Sequence, residues 1–311
     1  FDQAVIIGVG LIGGSLGMIL RRKQLASNVV GVGRRIENLK TAVTVGAIDR
    51  YVVDPREAVK DADLVILATP VDTYERHLKE WASCLRPGAI VTDVGSVKGD
   101  LVERSERQIP AGVHFVGAHP IAGKEKTGAA AGSEDLFSGR RCILTPTQQT
   151  DPQALEQVQA LWQEAGAIVL TMDPQLHDKI LGAVSHLPHV AAFALMNALV
   201  EIQREVPALD LAGHSGGGLR DTTRIAASSP EMWRGRFFLD RGDVGAWRAE
   251  VRPHGSRRGG GEARRDEKRE KGPLDHRPPS CSLSVPLSPS PPGGVSPPGG
   301  GASPPAFPGP G

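Results

Sequence analysis

Residues 4–14 read Ala4-Val-Ile-Ile-Gly8-Val-Gly10-Leu11-Ile12-Gly13-Gly14, and this stretch decides the fold. Ala4–Val9 is a short apolar strand, the glycines follow in the spacing G-x-G-x-x-G, and an apolar helix runs on to about Arg22. Alone the spacing is weak, because glycines recur by chance. Set between a strand and a helix it predicts a dinucleotide-binding turn. Gly8 permits the tight turn, Gly10 lets a pyrophosphate approach the backbone, and Gly13 lets the helix pack on the strand. Leu11 and Ile12 open the helix, whose N-terminus then faces the phosphates.

Outward from this turn, strands and helices alternate. Val29–Val32 is a second strand and Ile36–Val45 an amphipathic helix. Asp63–Ala68 is a continuous apolar run ending in Thr69-Pro70, the pattern of a strand buried on both faces. A helix through Tyr74–Cys84, a strand over Ala89–Val94, the loop Gly95-Ser96-Val97-Lys98, a helix over 100–109 and a strand over His114–Gly117 continue the series. Arg141–Leu144 and Ala167–Leu170 read as late strands flanking a helix from Pro152 to Ala165. The alternation predicts an α/β fold: a doubly wound, mostly parallel Rossmann sheet over residues 1–172. From Asp173 the periodicity turns helical, and Val190–Val200 is apolar nearly all round. A helix without a polar face is expected to be buried, often against a second subunit. Residues 173–250 are therefore expected to form an all-α domain that also dimerises.

The 311 residues suffice for roughly two domains, and the 40% hydrophobic content supports a packed core. That average hides a change of text after about Arg241. Residues 251–311 are rich in Gly, Pro, Arg and Ser, bury too little apolar surface to offset their ordering entropy, and are expected to be disordered. A net charge of +1 gives no field to recruit nucleic acid or a membrane. No uninterrupted apolar run approaches the roughly 20 residues of a membrane span. Cys84, Cys142 and Cys281 have neither metal-ligand nor redox spacing. No metal site is expected, and the scattered thiols fit a reducing cytoplasm.

About twenty residues beyond Gly13 an NAD enzyme usually offers a carboxylate to the ribose diol. Here Gly33 is followed by Arg34 and Arg35. A missing carboxylate removes repulsion toward a 2′-phosphate, and an arginine pairs with one bidentately, so NADP is favoured over NAD. The alternative is a pair of solvated arginines beside a bound NAD. Thr69 and Pro70 end a strand where the nicotinamide half is expected.

Gly117-Ala-His119-Pro-Ile-Ala-Gly123-Lys124-Glu125 carries the chemistry. A histidine before a proline, with glycines on either side, suits neither a helix nor a central strand. It suits a loop that holds an imidazole still. A positioned base near a nicotinamide points to removal of a proton and a hydride from one alcohol carbon, the work of a dehydrogenase. The bland alternative is a structural loop histidine.

Taken together, Gly8–Gly13, Asp93-Val-Gly-Ser96-Val-Lys98, Gly117–Gly128, Ser185-His-Leu-Pro-His189, Asp221-Thr-Thr-Arg224 and Ser229-Pro-Glu-Met-Trp233 resemble the prephenate/arogenate dehydrogenases of tyrosine biosynthesis. The resemblance covers about residues 3 to 240. It implies oxidative decarboxylation of prephenate and/or arogenate, to 4-hydroxyphenylpyruvate or tyrosine, by a homodimer. It gives His119 the hydroxyl proton and Ser96 a hydrogen bond that orients hydroxyl and imidazole. Arg224 would clamp a substrate carboxylate, a task suited to a planar five-donor fork. The resemblance favours His189 over His186 as a pocket member, a core histidine being the alternative. Lys124 would meet the second carboxylate, Glu125 would gate or order the site, Asp221 would orient Arg224, and Trp233 would pack.

The resemblance also has an end. Where the family continues through another amphipathic helix, Gly235, Gly242 and Gly245 interrupt this chain. A shifted reading frame, an assembly error or a genuine extension would each produce such a switch, the first two being preferred. Two rival readings stay open. A β-hydroxyacid-type dehydrogenase shares the architecture but leaves the histidine loop unexplained. A catalytically impaired nucleotide-binding homologue must contend with the retention of His119, Ser96 and Arg224.

Overall fold

The structure, a computed structural model, describes residues 1–124, 126–208, 210–211 and 213–227. Glu125, Trp233 and the tail from residue 251 lie outside the described residues.

Strands β1 (Gln3–Ile7), β2 (Asn28–Val32), β3 (Arg50–Val52), β4 (Leu64–Leu67), β5 (Ile90–Asp93) and β6 (His114–Val116) form one sheet in the order β3-β2-β1-β4-β5-β6. Every pairing in it is parallel. Helices α1 (Leu11–Arg22) and α2 (Ile36–Thr44) pack on one face, where Ala4 and Ile6 meet Leu16, Leu20 and Leu39. Helices α3 (Pro55–Val59), α4 (Tyr74–Trp81) and α5 (Gly99–Glu106) cover the other, where Val5 and Ile7 meet Val59, Leu78 and Trp81. Both faces are sealed, which is why β4 reads as an unbroken apolar run. The order reverses between β1 and β4, so a crevice opens at the carboxyl ends of those strands. This is the expected doubly wound sheet. The short strand β3 and helix α3 are additions to the sequence reading.

The late strands do not extend that sheet. Strand β7 (Ala118–Pro120) pairs antiparallel with β8 (Arg141–Leu144), and β8 pairs parallel with β9 (Ile168–Thr171), in a separate sheet ordered β7-β8-β9. His119 therefore sits in a strand rather than in the expected loop, opposite Ile143. The strand is short and lies at an edge, where Pro120 breaks no central ladder. Helix α6 (Pro152–Glu164) joins β8 to β9 and packs Trp162 edge-on against Phe137, ring centres 5.1 Å apart.

Helix α7 (Pro174–Leu181) starts at Asp173, whose carboxylate accepts from the Gln175 and Leu176 amides. Asp54 and Asp151 cap α3 and α6 in the same way, each followed by proline. A π-helical turn, Gly182–His186, joins α7 to α8 (Leu187–Glu205). Helix α9 (Gly217–Ala226) packs against α8 and has no buried residue.

The expectation that the apolar helix is buried fails for the single chain. Ala192 is the sole buried residue described in α8, while Leu195, Val200 and Ile202 are exposed. Among the described residues only α9 packs along this helix, and it leaves them uncovered. The continuous helix Pro174–Glu205 is also long and apolar enough to cross a membrane, with mean hydropathy 1.4 over 18 residues. The sequence reading had seen no such run, because Pro188 and the polar residues of α7 break the apolar text.

Candidate active site

At the carboxyl end of β1, Gly8 adopts φ +100°, and a Cβ there would lie 2.8 Å from the Ala68 carbonyl oxygen and from Thr69 Cγ2. The turn is thus pressed against the end of β4, where Thr69 and Pro70 stand at the lip. A Cβ on Gly13 would sit 2.5 Å from the Gly8 oxygen, so only glycine lets α1 pack this closely. Gly10 differs, because a Cβ there would meet nothing within 4 Å. No side chain caps α1, and its first turn holds no acidic residue. Its Leu11 and Ile12 end is therefore open to an anion, which is what a dinucleotide pyrophosphate requires. The residues present fit that cofactor.

At the end of β2, Arg34 and Arg35 are exposed and form no ion pair among the described residues. Nearby on α4, burial and then the Arg76 charge hold His77 below the ordinary imidazole range; Glu80 opposes them and Arg34 adds a smaller lowering.

Asp93, the last residue of β5, organises the reactive side of the crevice. One carboxylate oxygen accepts from the Ala118 amide at 3.0 Å. The other accepts from the Gly95 amide at 2.8 Å and from Lys98 Nζ, in an ion pair sealed from solvent. The amide before His119 and the amide before Ser96 are thereby fixed to the same group. Ser96 is 6% exposed, and its Oγ, fully shielded, has no hydrogen-bond partner. A buried orphan hydroxyl is costly unless something else satisfies it.

His119 Nδ1 lies 2.8 Å from His177 Nε2, and His177 Nδ1 lies 2.7 Å from Asp178 Oδ1. Asp178 Oδ1 also accepts from the Lys98 amide at 2.8 Å. His177 and Asp178, both buried on α7, were missed by the sequence reading. The signal was present, since Pro174, His177, Asp178 and Leu181 form the buried stripe of that helix.

The other sequence-derived residues are less gathered. Lys124 is exposed. His189, on the first turn of α8, is half-buried with Nδ1 2.9 Å from the Ser185 carbonyl oxygen, whereas His186 is buried in the π-helical turn. Asp221 and Arg224 are exposed on α9. No cluster of metal-ligating side chains occurs among the described residues.

Residues 16–171 match the family model of the prephenate dehydrogenase nucleotide-binding domain, and residues 173–245 match that of its dimerization domain. The chain belongs to the prephenate dehydrogenase family. It is 37% identical over 234 residues to a prephenate dehydrogenase of Bacillus subtilis, covering 75% of this chain and 62% of that protein. It is 32% identical to a cyclohexadienyl dehydrogenase of Zymomonas mobilis, over 75% of this chain and 79% of that one. Among solved structures, prephenate dehydrogenase from Aquifex aeolicus in complex with hydroxyphenyl propionate and NAD+ superposes with TM-score 0.75 at 39% identity. That match covers 80% of this chain and 86% of the other. The chain thus spans about three-fifths of the B. subtilis relative, at 62% of its length. Family membership answers the β-hydroxyacid rival: the histidine strand, unexplained in that reading, belongs to this family's nucleotide-binding domain.

Proposed function

We propose that this chain is a cytoplasmic, homodimeric dehydrogenase that oxidatively decarboxylates prephenate and/or arogenate, with NADP favoured over NAD. The observation that carries the reading is the buried, partnerless Ser96 hydroxyl, fixed through Asp93 to the strand that bears His119. Such a pair suits a substrate alcohol that needs one hydrogen bond for orientation and one base for its proton.

A bound nicotinamide would supply the hydride acceptor for the ring carbon that carries the hydroxyl. His119 takes the hydroxyl proton as the C–O bond becomes a carbonyl. The ring carboxylate opposite leaves as CO2, its bonding electrons pass through the ring to the carbonyl oxygen, that oxygen takes a proton back to become the phenol, and aromatisation drives the reaction. Ser96 orients the hydroxyl. Arg224 clamps a substrate carboxylate, with His189, Lys124, Glu125 and Asp221 completing the pocket. Arg224 is exposed on α9 in the single chain. A second copy packed on the bare apolar residues of α8 would close that region, in keeping with the dimerization-domain match. The same covering accounts for this apolar helix without a bilayer.

For the cofactor, the support is the pair of unpaired guanidiniums, Arg34 and Arg35, where a ribose-binding carboxylate would repel a 2′-phosphate. The Aquifex aeolicus relative holds NAD+, so the preference rests on this chain's own residues. For the compartment, the support is the free thiols of Cys84 and Cys142.

An assay of prephenate and arogenate, each with NAD and with NADP, tests the proposal by the appearance of reduced nicotinamide. Reduction with at least one substrate, faster with NADP, is expected. Nucleotide binding with no reduction in any of the four mixtures would select the impaired-homologue reading.

A further inference from the structure

We propose that His177 and Asp178 are positioning residues that hold His119 as its Nδ1–H tautomer, leaving Nε2 as the proton acceptor. The inference rests on the dehydrogenase reading for its kinetic consequences, though not for its geometry.

The chain of assignments begins at a proton that cannot move. The Lys98 amide donates to Asp178 Oδ1 at 2.8 Å. An ionised carboxylate only accepts, so His177 Nδ1, 2.7 Å from the same oxygen, must be the donor. With its proton on Nδ1, a neutral His177 presents a lone pair at Nε2. His119 Nδ1, 2.8 Å away, must then donate. His119 Nε2 then carries no proton, and that is the nitrogen able to take one. The rings meet edge to face, centres 5.1 Å apart and planes 64° apart, so the lone pair of one can point at the N–H of the other.

The anchor is built into the fold. A Cβ on Gly99 would lie 2.8 Å from Asp178 Oδ2, so glycine at the first position of α5 lets the carboxylate close on that helix start. A helix N-terminus favours a negative charge there. His177 is fully buried, which keeps water from competing for either ring nitrogen. The two positioning residues belong to α7, after the nucleotide-binding domain, whereas His119 and Lys98 lie within that domain. Docking of α7 thus selects the protonation state of the base. An isolated histidine side chain favours the opposite, Nε2–H form, so the selection works against an intrinsic preference.

The test is a long-range 1H–15N correlation spectrum of the full chain labelled with 15N-histidine, with His119 assigned by its loss in His119→Asn. The expected pattern is a protonated Nδ1 and an unprotonated Nε2 on His119, lost in His177→Leu. An Nε2–H form in the unaltered protein would overturn the proposal, as would a doubly protonated His177. Kinetics give a second reading. His177→Leu should lower kcat by roughly 10²-fold with KM nearly constant, the scale of a lost general base. His177→Gln, whose amide oxygen can replace the Nε2 acceptor, should recover most of that loss. Equal losses in both variants would reduce His177 to a packing role. Absence of turnover in the unaltered chain would defeat the dehydrogenase reading alone, because the spectrum still decides the tautomer.

Discussion

Asp93 and Lys98 form an ion pair whose side chains are 1% and 0% exposed, at the point where the strand carrying His119 leaves the main sheet. Burying two charges is expensive, and breaking such a pair leaves one of them uncompensated. Lys98→Met should therefore destabilise the protein by about 3–5 kcal/mol in urea unfolding. Adding Asp93→Asn should return part of that loss, since no bare charge then remains. A single variant as stable as the parent would show that the pair does not hold this junction.

The glycines of the first turn should separate folding from binding. Gly10→Ala adds a methyl that meets no protein atom within 4 Å, so the melting temperature should hardly move. The methyl intrudes where the pyrophosphate must approach, and nucleotide affinity should fall by roughly tenfold or more, at least about 1.4 kcal/mol. Gly13→Ala drives its Cβ to 2.5 Å from the Gly8 oxygen and should lower stability as well. Calorimetric melting and nucleotide titration distinguish the two.

Cofactor choice should reside at the end of β2. The double variant Arg34→Ala, Arg35→Ala removes two charged donors, and KM for NADP should rise roughly ten- to a hundredfold. KM for NAD should stay within about twofold, because NAD lacks the 2′-phosphate. Parallel rises for both nucleotides would assign the arginines a general electrostatic role instead.

Thiol reactivity should follow burial. Burial pushes the Cys142 thiol well up; the Lys98 charge opposes it, Asp93 adds a smaller push, and the His119 backbone a smaller pull. The thiolate is the reactive form, so Cys142 should resist iodoacetamide at mildly alkaline pH until the protein unfolds. Cys84, half-buried, should be alkylated in the native state. Peptide mapping by mass spectrometry reads both, and early labelling of Cys142 would mean that β8 opens readily.

The main sheet was legible because strands buried on both faces write continuous apolar text, as Leu64–Leu67 does. Strand β3, Arg50–Val52, is three residues long and only partly buried, too short to show a period. The second sheet was misread for another reason: the pairing of Ala118–Pro120 with Cys142–Leu144 is nonlocal, and Pro120 argues against a strand. His177 and Asp178 were passed over because polar residues on a helix usually face water. Here they occupy core positions, and such a conflict between pattern and polarity marks a functional place. Ser96, by contrast, was found through its loop and its resemblance. No sequence pattern could show that its hydroxyl lacks a partner. For Arg224 the sequence supplied a role that the described residues do not complete, since α9 buries nothing among them.

The central claim is that His119 is the base that removes the hydroxyl proton. Single-turnover reduction of the nicotinamide by bound substrate, compared between the parent chain and His119→Asn, tests it most directly. The account predicts a fall of roughly 10²- to 10⁴-fold in the rate of hydride transfer, with nucleotide and substrate dissociation constants nearly unchanged. Hydride transfer at the parental rate in His119→Asn would contradict it.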